Sequence, residues 1–118
     1  MVKDYQSLSE QVSISAQVTL DDLDHLAERG VVALVSNRPD GETEDQPPWA
    51  EVAARAKALG MAPHWLPFES TQPPPKEHVK DFRELLARGE RVHMFCRSGK
   101  RAGNLYTAAM DPNGSSYS

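Results

Sequence analysis

The sequence predicts an α/β fold: three layers, with a mostly parallel sheet of four or five strands and helices on both faces. Three observations carry this. Strand-like and helix-like segments alternate along the chain. The run Val31 to Val35, VVALV, is apolar at every position, as in a strand covered on both faces. Each helical segment closes on a glycine, Gly30, Gly60 or Gly89, the residue that most readily takes the left-handed conformation ending a helix.

The elements follow in order. Val12 to Ala16, VSISA, alternates apolar and polar residues and reads as a short edge-type strand. Thr19 is placed as an N-cap, with Asp21 and Asp22 favourable in the first helical turn. Leu20, Leu23, Leu26 and Ala27 make an apolar stripe at helical spacing that ends at Gly30. After the VVALV strand, NRPDGETEDQPP, Asn37 to Pro48, is polar and carries Pro-Asp-Gly turn chemistry; its acidic part reads as a mobile surface loop. A second helix spans Pro48 to Leu59, with Trp49, Val52, Ala53, Ala56 and Leu59 on one face. APHWLPF, Ala62 to Phe68, is a third strand that two prolines restrict to a short or edge position. A Pro-rich loop leads to a third helix over Pro75 to Arg88, and RVHMFC, Arg91 to Cys96, is the last strand. A final helix begins near Arg101 or Ala102.

A chain of 118 residues suits one domain, assigned to 1–110, with DPNGSSYS, 111–118, as a disordered tail. No apolar run approaches the ~20 residues of a membrane span, and the N-terminus lacks the apolar centre of a signal peptide, so a cytoplasmic location without membrane contact is expected. A net charge of −4 argues against nucleic acid as a partner. One cysteine and four scattered histidines exclude an internal disulfide and disfavour a metal site; no cofactor is expected.

The chemistry concentrates where the last strand meets the last helix, in Cys96-Arg97-Ser98-Gly99-Lys100-Arg101. Gly99 allows a tight curl in which successive N–H groups, from Arg97 to Lys100, point inward as an anion cradle. The following helix adds its positive N-terminal end, and Arg101 offers a planar fork to an oxyanion. The same parts favour the thiolate of Cys96, which makes it a nucleophile beside a bound anion. In an α/β sheet this loop lies at the carboxyl edge of the strands, where ligands bind.

CxxGxR after an apolar strand resembles the active loop of cysteine phosphatases and of rhodanese-type sulfurtransferases. SAQVTLDDLDHLAERGVVALVSNRPDGE, ALGMAPHWLPF and VHMFCRSGKRA, in that order, resemble more closely the phosphatase-like domain of bacterial beta-lactamase-hydrolase-like proteins, over residues 12–109. The resemblance implies a cysteine-phosphatase-like fold similar to dual-specificity phosphatases, and an activity described as hydrolase-like or sulfurtransferase. Some members are joined to sulfur-oxidising domains, which implies a sulfur-metabolism protein as a possible partner.

Loop length separates the two chemistries. Phosphatases resemble one another in C-x5-R, whereas Cys96 and Arg101 stand in C-x4-R, a smaller ring similar to the rhodanese pattern. The expectation is therefore sulfur transfer from thiosulfate or a persulfide through a Cys96 persulfide. The alternatives are hydrolysis of phosphate monoesters through a Cys96 phosphocysteine, and a non-catalytic anion-binding or partner-docking module. A phosphatase needs a general acid, for which Asp40 and Glu69 are the candidates. Arg38 either adds charge at the pocket rim or pairs with the acidic run Glu42, Glu44, Asp45. His93 is read as structural, because alternation along a strand puts it on the face opposite Cys96. Phe95, where family members often carry histidine, and Ala102, where phosphatases commonly place a hydroxyl, depart from the pattern.

Overall fold

The computed structural model describes residues 2–111; the proposed tail, apart from Asp111, lies outside them. Five strands and four helices follow in the order β1 (Gln6–Ser7), β2 (Val12–Ser15), α1 (Leu20–Glu28), β3 (Ala33–Ser36), α2 (Trp49–Ala58), β4 (Ala62–Trp65), α3 (Lys76–Leu86), β5 (Val92–Phe95) and α4 (Lys100–Met110). The sheet order is β1-β2-β5-β3-β4, and every pairing except β1 with β2 is parallel.

Alternation along the strands builds two cores. Val12, Ile14, Ala33, Val35, Val92 and Met94 face α3 and α4, where they meet Val79, Phe82, Leu85, Leu105 and Ala108. Leu34 and Phe95 face the other way, onto Leu23 and Leu26 of α1 and Val52 and Ala56 of α2. This is the expected three-layer arrangement. Thr19 caps α1 as its sequence indicates: its hydroxyl accepts the Asp22 N–H at 3.1 Å and the Asp22 carboxylate accepts the Thr19 N–H at 2.9 Å. No helix among the described residues is long and apolar enough to cross a membrane.

Three local features differ from the sequence expectation. Strand β1 is additional: two residues give no periodicity to detect. Its presence moves β2 from an edge to the interior of the sheet, and the alternating serines of β2 are buried rather than solvated. They are satisfied by His93, whose Nδ1 and Nε2 each lie 2.8 Å from a hydroxyl, Ser13 and Ser15 respectively. The acidic loop is also tied down. Gln46 donates to the Pro39 carbonyl at 2.8 Å and accepts the Glu42 N–H at 3.0 Å, and Gly41 turns at φ 76°.

Candidate active site

The carboxyl ends of β2, β5 and β3 bring three loops together. Cys96 leaves β5 on the α3/α4 side, fully buried, and its Sγ accepts the Gly99 N–H at 3.1 Å. Gly99 takes φ 97° as the N-cap of α4, which starts one residue before the predicted Arg101. A Cβ there would lie 3.4 Å from the Ser15 carbonyl carbon and oxygen, so the end of β2 braces the loop from behind. The Gln17 N–H adds a hydrogen bond to the Arg97 carbonyl at 3.3 Å. The sulfur thus sits before the positive end of an 11-residue helix.

Arg101, in the first turn of α4, is 5% exposed. Its Nη1 and Nη2 hold the two Glu42 carboxylate oxygens at 2.8 Å each, and Nη1 also donates to the Phe68 carbonyl at 3.0 Å. These three bonds use the end of the guanidinium. They leave the side edge, Nε–H and the second Nη2–H, as the pair of donors for an oxyanion. Glu42 therefore clamps Arg101 without closing it. Arg38 holds the same carboxylate from the far side, Nε to Oε1 at 2.9 Å, and is itself fixed by Gln17 at 2.9 Å and Thr43 at 3.2 Å. The Arg101 hydrogen bonds pull the Glu42 carboxyl below its ordinary range, with Arg38 adding to the effect against the cost of burial. Reciprocally, Glu42 pushes the Arg101 guanidinium above its ordinary value, and Cys96 contributes in the same direction.

A pocket of about 670 Å³ opens over the loop, with Arg97, Ser98, Lys100 and Arg101 on its floor. Lys3, Asp4, Ser70 and Asn104 contribute to the wall. Of the residues singled out from sequence, Arg97, Ser98, Lys100 and Arg101 line the pocket, while Cys96 lies buried within the loop beneath them. Arg38 does not line this pocket; of its two expected roles it takes the pairing with Glu42, buried at 4% exposure. Asp40 is not at the rim either. Its Oδ1 accepts the Trp49 N–H at 2.8 Å and so caps α2, which places it away from the loop as a general acid. Glu69 is exposed, and its neighbour Ser70, not Glu69 itself, reaches the pocket.

In the sequence Glu42 is one charge in an acidic run, and Lys3 and Asp4 stand in no recognisable motif. The Pro-Asp-Gly turn was a signal for Glu42, since a turn there can return the next residue toward the strand ends. Nothing local marked Asp4.

Solved structures share this architecture. A candidate phosphatase from Neisseria meningitidis superposes with a TM-score of 0.76 at 31% identity, over 86% of this chain and 72% of that one. A candidate phosphatase from Shewanella putrefaciens does so with a TM-score of 0.81 at 19% identity, over 98% and 75%. Among curated proteins, the beta-lactamase hydrolase-like protein of Xylella fastidiosa is 32% identical over 100 residues, 84% of this chain. The chain spans 23% of that relative's length. The profile described as "beta-lactamase hydrolase-like protein, phosphatase-like domain" matches residues 4–111, nearly all of the sequence, and the chain belongs to that family of cysteine-phosphatase-like domains.

Proposed function

We propose that this domain is a cysteine-dependent hydrolase of the phosphatase type, acting on small organic phosphate monoesters. The observation that carries the reading is Arg101, clamped by Glu42 at one edge of its guanidinium and interacting with Cys96, beneath a pocket of about 670 Å³. That volume lies within the range of sites for organic ligands and far exceeds what thiosulfate occupies. Lys3, Arg97 and Lys100 line it and favour a dianionic phosphoryl group over a neutral substrate. The short loop, and a chemistry that needs no general acid, make sulfur transfer the expectation from sequence. The phosphatase-like family and neighbours lend it no support, and the phosphatase reading takes its place.

In this reading Cys96 attacks phosphorus in line with the ester oxygen, the P–O bond breaks, and water then cleaves the phosphocysteine. Backbone N–H groups of the loop and the side edge of Arg101 hold the three equatorial oxygens. Hydrolysis of p-nitrophenyl phosphate, blocked by vanadate and abolished in Cys96→Ser, is the expected result. Mass spectrometry of the quenched protein should show a phosphoryl group on Cys96. A gain of one sulfur on Cys96 after thiosulfate, with no turnover of phosphate esters, would overturn the reading in favour of sulfur transfer. Phosphate binding without either reaction would leave a docking module.

A further inference from the structure

A phosphoryl transfer to Cys96 leaves one role unfilled, that of the group protonating the departing oxygen. Among the described residues, the carboxylates lining the pocket are Asp4 and Glu42. Glu42 is committed to two arginines and held in its charged form. Asp4 makes no hydrogen bond or ion pair with any described residue, so its carboxyl is available to a ligand. Its backbone is also singular. Asp4 is the only non-glycine among the described residues with positive φ, 56°, a conformation that aspartate and asparagine enter more readily than other side chains.

The turn that puts it there is fixed on both sides. Val2 is buried with Val18, Leu23 and Phe95, and the Lys3 carbonyl accepts the Ala16 N–H at 3.0 Å. On the other side, Gln6 pairs with Ile14 in the sheet. Residue 4 is thus held over the end of β2, the same segment that braces Gly99 from behind. A backbone held in a sparsely populated region between two anchors, at the wall of a reaction pocket, is where a functional side chain is expected.

We infer that Asp4 is the general acid of this site, an inference that rests on the phosphatase reading above. As the Cys96 sulfur bonds to phosphorus and the P–O bond breaks, the Asp4 carboxyl proton passes to the leaving oxygen, releasing a neutral alcohol. The resulting carboxylate then takes a proton from the water that attacks the phosphocysteine, the S–P bond breaks to return the Cys96 thiolate, and Asp4 is protonated again.

The test compares Asp4→Asn with the wild type on two esters, phenyl phosphate and p-nitrophenyl phosphate. Asparagine tolerates the same backbone conformation, so an unchanged melting temperature is expected. Loss of a general acid should lower kcat/KM, which reports the step that expels the leaving group and not the later hydrolysis common to both esters, by about 100-fold or more for phenyl phosphate, whose leaving group is a poor one. The better leaving group of p-nitrophenyl phosphate should lose no more than about tenfold. A merely structural role would lower both equally; equal losses, or no loss on phenyl phosphate, would overturn the assignment of Asp4. A wild-type protein inactive on both esters would overturn the phosphatase reading and this assignment with it.

Discussion

Acid should begin to destabilise this protein through His93 before most carboxylates are neutralised. The ring is fully buried between Ser13 and Ser15, with Tyr5 stacked 5.8 Å away and the Arg29 guanidinium 4.7 Å from the far ring. The Ser15 hydroxyl donates to the Ala16 carbonyl at 2.8 Å. The bonding pattern therefore assigns Nε2–H as donor to Ser15 and Nδ1 as acceptor from Ser13, a neutral imidazole with both nitrogens satisfied. Burial, aided by the charge of Arg29, pushes the pKa down to about 3 from an ordinary 6.5. Between those two values the unfolded chain binds a proton that the native chain does not, so stability falls as pH drops from 6.5 toward 3. At about 1.4 kcal/mol per pH unit, the loss is roughly 2 kcal/mol at pH 5 and roughly 5 kcal/mol by pH 3. That is a large part of the 5–15 kcal/mol typical of a domain. Urea denaturation should therefore show a midpoint about 1 M lower at pH 5 than at pH 7. His93→Gln, which retains polar atoms but cannot be protonated, should lose most of that dependence. An imidazole NMR signal of folded His93 titrating near 6.5, or equal pH dependence in the two proteins, would refute the reasoning.

Glu42→Ala should leave Arg38 and Arg101, both nearly buried, facing each other without a counter-ion, and cost about 3 kcal/mol, or about 10 °C in melting temperature. Millimolar phosphate should restore part of that shift by occupying the vacated guanidinium; a fall under about 3 °C would mean that water screens the pair. In the wild type, the Glu42 contribution is present above pH about 4.5 and is lost as pH falls below it, because its native pKa is the lower one. Gly99→Ala should cost about 1–2 kcal/mol in a melt, since the residue sits at φ 97° where a Cβ is disfavoured and would touch Ser15; an unchanged melt would show that the loop can re-form around it. Thr19→Ala removes one bond of the capping box and should lower stability by about 1 kcal/mol without altering turnover of p-nitrophenyl phosphate.

The fold was legible in the sequence because its signals are local. Glycines after helices, the Thr19 cap and the apolar runs of β3 and β5 state their conformation within a few residues. The loop from Cys96 to Arg101 was legible for the same reason: a strand end, a glycine and a helix start are contiguous. β2 was misplaced because alternating serines look solvated until a histidine 80 positions away supplies their hydrogen bonds.

What the chain's own order of residues determined, then, is a parallel α/β sheet ending in a cysteine loop at a helix N-terminus. What only the tertiary structure decided is which distant groups meet that loop. Glu42, 59 positions before Arg101, turns one edge of its guanidinium into a fixed clamp and leaves the other for an anion. Asp40, a candidate on its sequence context, is diverted to cap α2, while Asp4 reaches the pocket through a two-residue strand with no sequence signature. The physical reason is that propensity acts within a few residues, whereas pairing between charges depends on where packing brings the backbone.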